Sequence, residues 1–161
     1  VDYQFPWDRL ILDLKFHGRP ELAGVLAGLL YRAVKAVGAD AQADLVLPIP
    51  LSRQRLQERG FNQAWELARR VAAALHRPAR HDLLSRPIES AHQADLPRAE
   101  RERNLRGAFM VEPLQRAELQ GRRVAIVDDV FTTGATAREA TQALLRGGAA
   151  AVQIWTVART P

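Results

Sequence analysis

Residues 123–136 read RVAIVDDVFTTGAT, and the order of residue types in this stretch decides the fold. Residues 124–127 are an unbroken run of small and β-branched apolar residues. Such a run suits a parallel strand buried on both faces. Asp128 and Asp129 follow, where that strand is expected to emerge into solvent. Phe131, Thr132, Thr133, Gly134, Ala135 and Thr136 come next. Residues 137–145 then have the composition of a helix, with Ala140, Ala143 and Leu144 sharing an apolar stripe. Gly147 and Gly148 stop it.

A strand, a short glycine-bearing loop and a helix start converge free backbone N–H groups on one point, where the helix dipole adds partial positive charge. Thr132, Thr133 and Thr136 add hydroxyl donors, and Gly134 allows close approach of the backbone. That is a cradle for a phosphate. The carboxylates beside it accept hydrogen bonds when ionised, and suit sugar hydroxyls directly or through a divalent cation. Together these features describe a ribose 5-phosphate site. Paired acids after a strand also serve as helix caps or stay solvated, and Thr-Thr-Gly also makes ordinary turns. The complete order, rather than any one piece of it, carries the reading.

The stretch VAIVDDVFTTGAT resembles the phosphoribosyl-pyrophosphate (PRPP) motif of type I phosphoribosyltransferases. The resemblance implies that Asp128 and Asp129 contact the ribose hydroxyls. It implies that Thr132, Thr133, Gly134, Ala135 and Thr136 hold the 5′-phosphate.

Working outward, residues 43–48 (ADLVLP) give another strand, running into IPLSRQRLQERGFNQ. Pro48 and Pro50 bracket Ile49, so the backbone there is stiff and the segment is expected not to be helical. Ser52, Arg53, Arg55 and Arg59 place hydroxyl and guanidinium donors at the strand's C-terminal end, the edge from which Asp128 must emerge in an open α/β sheet. The planar fork of arginine suits a pyrophosphate, although a solvated basic turn has the same composition. Asn62 is a candidate N-cap for a helix over residues 63–76, with Ala64, Leu67, Ala68, Val71, Ala72 and Leu75 facing inward.

Before the first strand, residues 2–16 read as an extended arm and a helix, and residues 21–37 as a second helix. After residue 78, residues 79–84 read as a short extended piece. Residues 85–106 are polar, charged and broken by Pro87 and Pro97, the pattern of a functional loop or mobile lid. Residues 107–111 are a candidate strand, residues 112–121 a connector with a short helical piece, and residues 149–158 a last strand. Strands alternating with helices predict a parallel sheet with crossovers. His17, His76, His81 and His92 are scattered without ligand spacing. They read as surface or structural residues, and Trp7, Trp65 and Trp155 as packing residues.

The 161 residues make one domain with length for a real core. No apolar run is long enough for a membrane span and no signal-peptide pattern opens the chain. Cysteine is absent, which excludes disulfides and thiolate chemistry within the chain and makes a cytoplasmic location the expectation. The formal net charge is +5. Residues 53–106 hold twelve arginines and no lysine against seven acids, so the whole surplus lies there. A basic middle suits phosphates, pyrophosphate or nucleic acid. With only Lys15 and Lys35 in the chain, a general preference for arginine accounts for part of that pattern.

Beyond the PRPP motif, the chain resembles the ComF family of competence-associated, phosphoribosyltransferase-like proteins. The residues that carry this are LILDLKFHG (10–18), LPIPLSRQRLQERGFNQA (47–64), Gln93 and Leu96, RNLRGAF (103–109) and VDDVFTTGAT (127–136). The resemblance implies an α/β, type I phosphoribosyltransferase-like domain over residues 1–161. Its mainly parallel central sheet would be flanked by helices, with an N-terminal helical part at 1–40 and a mobile active-site loop at 85–106. It implies a pyrophosphate loop at Pro50, Leu51, Ser52 and Arg53, supported by Arg55, Arg59, Gln93, Arg101 and Asn104. Mg²⁺ would enter with PRPP rather than through direct protein ligands. Members often carry a cysteine-rich zinc ribbon ahead of this domain; this chain has no cysteine, so no zinc site is carried over.

Three functions stay open at the level of sequence. One is a pentosyltransferase acting on PRPP or another phosphorylated ribose, with an unidentified acceptor. The second is a single-stranded DNA-handling module working with a competence helicase. The third is a PRPP-binding regulator without transferase chemistry. None requires membrane insertion.

Overall fold

The computed structural model describes residues 1–17, 19, 21–38, 43–87 and 107–160. The expected loop at 85–106 lies almost wholly outside these residues. The elements are α1 (Trp7–Phe16), α2 (Leu22–Ala36), β1 (Leu45–Pro48), α3 (Arg53–Arg59), α4 (Gln63–Ala74), β2 (Leu84–Ser85), β3 (Met110–Val111), a 3-10 helix (Pro113–Leu119), β4 (Arg123–Phe131), α5 (Ala135–Arg146) and β5 (Ala151–Arg159).

The apolar run at residues 124–127 becomes the middle strand of a parallel sheet ordered β1-β4-β5. Pro48 lies opposite Val127 on one side, and Trp155 opposite Val127 on the other. Both faces of β4 are covered, as an unbroken run requires. Ala125 and Val127 pack with Ile11 and Leu14 of α1, Leu26 and Leu30 of α2, and Leu67 and Val71 of α4. Val124 and Ile126 pack on the opposite face with Ala140 and Leu144 of α5, and with Leu83, Phe109 and Val111 around the β2–β3 pair. That pair is antiparallel and stands apart from the main sheet. Backbone bridges at Ala79 beside Val46, and at Asp2 beside Arg159, extend the sheet at its margins.

Two expectations are corrected. The strand does not end before the acids: β4 runs on through Asp128 and Asp129 to Phe131, and Asp129 is buried rather than emerging into solvent. The segment after Pro50 is helical: Arg53–Arg59 forms α3. The prolines stiffen only residues 48–50, upstream of it. Ser52 then caps the helix by accepting from the Arg55 N–H, and Gly60 ends it at φ +76°. α3 buries no residue, so its caps rather than an apolar stripe define it. Among the described residues no helix is long and apolar enough to cross a membrane.

Candidate functional site

The parallel register brings the end of β1 beside the acids of β4. Ile49 donates its N–H to the Val127 carbonyl at 2.8 Å, so residues 50–53 leave the sheet next to Asp128. The common edge expected from the sequence is therefore present.

Asp128, Thr132, Gly134, Ala135 and Thr136 line one hollow, with Ile49 on its wall. Gly134 turns the chain at φ +74° and α5 starts at the next residue. The first-turn amides of any helix lack intrahelical acceptors, so the hollow sits at a donor-rich helix start. Thr133 shapes the turn instead, its Oγ1 accepting from the Ala135 N–H at 3.4 Å.

The two acids part company. Asp128 opens on the hollow, and its Oδ1 accepts from the Asp129 N–H at 2.9 Å. Burial, followed by the neighbouring Asp129 carboxylate, pushes the Asp128 carboxyl up to about 8. Asp129 is outside that lining and 3% exposed. Its Oδ1 accepts from the Val130 N–H at 3.0 Å, and its Oδ2 lies 2.6 Å from Lys15 Nζ of α1. The Lys15 contact is an ion pair by distance, without the alignment of a hydrogen bond.

Next to Lys15, the Phe16 ring carries the Arg59 guanidinium, 4.9 Å from its centroid. Arg59 donates to Gln63 Oε1 at 2.9 Å. Burial pulls the Arg59 pKa down, and the charges of Asp129 and Asp128 oppose that pull.

Of the expected pyrophosphate loop, Ser52 is buried and caps α3, while Arg53 and Arg55 are exposed. Pro50 and Leu51 border a second, open hollow of about 280 Å³ with Phe61, Trp65 and His81. Asn62 caps α4 through Oδ1, and its Nδ2 donates to the Ile49 carbonyl at 3.0 Å, tying α4 to the loop. Gln93, Arg101 and Asn104 lie outside the described residues.

Several arginines of the basic segment are already engaged. Arg69 and Arg70 pair with Glu66, and Arg80 with Asp82 and Glu118. His17 contacts Asp13 and His81 lies edge-on to Trp65, as structural histidines do. Among the described residues no three His, Cys, Asp or Glu side chains gather as a metal cage.

Two residues near the acids were absent from the expected set. Lys15 was hidden because its partner lies more than a hundred positions away. Its rarity was the available signal, since it is one of two lysines in an arginine-rich chain. Arg86 stacks over Phe109 at 5.5 Å and feels the charges of Arg55 and Asp128, while burial lowers its pKa.

No protein-family model matches the chain. It is 40% identical over 164 residues to the DNA utilization protein YhgH of Escherichia coli K12, covering 99% of this chain and 70% of that protein. It is 34% identical over 160 residues to competence protein F of Haemophilus influenzae, covering 98% of this chain and 69% of that one. Among solved structures it superposes on the glutamine PRPP amidotransferase of Bacillus subtilis, complexed with ADP and GMP, with a TM-score of 0.57 and 20% identity. That match covers 91% of this chain but only 30% of the amidotransferase. The likeness to the amidotransferase shows the type I phosphoribosyltransferase-like fold. With identities of 34–40% to YhgH and competence protein F across nearly its whole length, the chain belongs to the ComF family.

Proposed function

We propose that the chain binds PRPP, or another ribose 5-phosphate, at the C-terminal edge of the β1-β4-β5 sheet. The observation that carries this reading is the single hollow shared by Asp128, Thr132, Gly134, Ala135 and Thr136. The amides and threonine hydroxyls would take the 5′-phosphate, and Asp128 a sugar hydroxyl. The segment from Pro50 to Arg53, beside Asp128, would face the diphosphate with Arg55 and Arg59 near it.

The residues fit Mg²⁺ as a substrate-borne ion. Mg²⁺ keeps several waters and is commonly bound through substrate phosphates with one or two carboxylates. One half-buried carboxylate, Asp128, on the wall of the hollow suits that habit. The ion would neutralise the diphosphate. Transfer would break the bond between ribose C1 and the diphosphate oxygen, with the electron pair leaving on oxygen and cationic character building on the sugar, and a lone pair of the acceptor would form the new bond to C1. The chain's part would be to hold both phosphate ends and keep the sugar between them. A regulator that binds PRPP without transferring it has the same binding residues.

Titration calorimetry with PRPP, with and without Mg²⁺, tests this on wild type and Asp128→Asn. Binding that needs Mg²⁺ and weakens at least tenfold in the variant is the expected result. Absence of heat with the wild-type protein sinks the reading.

A second reading rests on the names of the relatives, which concern DNA utilization and competence. The exposed Arg53 and Arg55 would then meet the phosphates of single-stranded DNA, with a competence helicase as partner. Fluorescence anisotropy with labelled oligonucleotides should show steep salt dependence, and Arg53→Glu with Arg55→Glu should weaken binding. Affinity indifferent to both changes removes this surface from consideration.

A further inference from the structure

Strand alternation assigns the two acids to different layers. Ala125 and Val127, of the same parity as Asp129, lie in the core with Ile11 and Leu14 of α1. Val124 and Ile126, of the same parity as Asp128, lie in the core with α5. Asp129 thus belongs to the α1 layer, and Asp128 to the layer that holds the phosphate hollow. Both Asp129 oxygens have protein partners, Val130 N–H and Lys15 Nζ, and the residue is 3% exposed. A sugar hydroxyl has no open approach to it.

We propose that Asp129 is a positioning residue rather than a sugar ligand: with Lys15 it locks the end of α1 onto the end of β4, leaving Asp128 as the only carboxylate of the pair that meets the sugar. The sugar half of this statement rests on the ribose 5-phosphate reading above; the lock does not. A buried carboxylate needs its counter-charge held close, because the interior cannot solvate it. A lysine supplies a compact ammonium on a flexible stem, suited to reaching a single buried oxygen. The lock also sets Phe16, the residue after Lys15, beneath Arg59. Helix α1, outside the PRPP motif, therefore holds Lys15 on Asp129 and places a ring under Arg59, whose charge the two acids feel.

The test uses wild type, Asp128→Asn, Lys15→Gln, Asp129→Asn, and the double variant Lys15→Gln/Asp129→Asn, in which two amides replace the ion pair. Urea unfolding of the last three against wild type forms a double-mutant cycle. Each single change should lower the midpoint, and the double variant should recover more than half of the summed loss. Carbon-13 NMR of the Asp128 carboxyl adds a readout that simple loosening would not move. Its titration midpoint should rise in Lys15→Gln and fall in Asp129→Asn.

Calorimetry then uses ribose 5-phosphate and inorganic phosphate as probes. The double variant should bind ribose 5-phosphate within about threefold of wild type. Asp128→Asn should lose at least tenfold for ribose 5-phosphate while keeping inorganic phosphate within about twofold. Additive losses in urea overturn the lock. A double variant that loses as much sugar-phosphate affinity as Asp128→Asn makes Asp129 a sugar ligand after all. If wild type binds neither probe, the ribose reading fails, and the cycle and the NMR shifts still decide the lock.

Discussion

The Phe131 ring lies across the α-carbon of Gly134. A Cβ built on Gly134 would stand 2.6 Å from Phe131 Cζ, and the residue sits at φ +74°. Gly134→Ala therefore meets both a steric and a conformational cost. The left-handed backbone alone costs an L-residue about 1–2 kcal/mol. Thermal unfolding should show a loss of at least that size, and Phe131→Ala in the same chain should relieve only the steric share. A neutral Gly134→Ala would mean that the turn is not held as described.

Asp128 makes stability depend on pH. Its folded pKa, about 8, stands above the 3.8 of an ordinary aspartate, chiefly through burial. Between those values the folded state keeps a proton that the unfolded state has lost. The contribution of this group is therefore fully present below about pH 4, and is lost as pH rises through 8. Urea midpoints of wild type should decline from pH 5 to pH 8.5, and Asp128→Asn should flatten that decline. Parallel curves for the two proteins would refute the assignment.

Asn62 joins two structures at once, capping α4 and holding the Ile49 carbonyl. Asn62→Ala should cost about 1 kcal/mol for the cap, and more for the stranded carbonyl. If residues 50–53 face a diphosphate as proposed, it should also weaken pyrophosphate binding, because they lose their anchor to α4. Chemical denaturation and calorimetry with pyrophosphate check the two effects separately.

Ile126 is fully buried at the centre of β4, on the α5 face. Ile126→Ala should destabilise by roughly 2–5 kcal/mol, with the upper end applying if the sheet cannot collapse onto the space. The measurement is the shift in guanidinium midpoint at constant slope.

Much of this architecture was legible in the sequence because its signals are local. The run at 124–127, the spaced leucines of α2 and the asparagine before α4 each announce their element within a few residues. The continuation of β4 through Asp128 and Asp129 was not legible, since two adjacent charges look like the end of a buried strand. The distant Lys15, with the Val130 N–H, makes a charge at 129 tolerable there. Helix α3 was missed for a different reason: it buries nothing, and its limits are set by Ser52 and Gly60 rather than by apolar spacing. The hollow itself was legible as a strand, a glycine and threonines in order. Which of the two acids faces it was not, because that depends on which layer covers each side of the sheet.

The first and last described stretches of the chain are hydrogen-bonded to each other. Tyr3 donates its N–H to the Arg159 carbonyl at 2.7 Å, Arg159 donates to the Val1 carbonyl at 3.0 Å, and Thr160 donates to the Phe131 carbonyl at 2.9 Å. During synthesis, residues 1–3 must wait for residues 157–160 before they can dock. The hollow's own strand gains its second neighbour at the same late moment. Loop closure over so long a separation is slow relative to local helix formation. The nascent protein is therefore expected to carry formed helices well before the hollow beside β4 is complete, which waits for β5 to leave the ribosome.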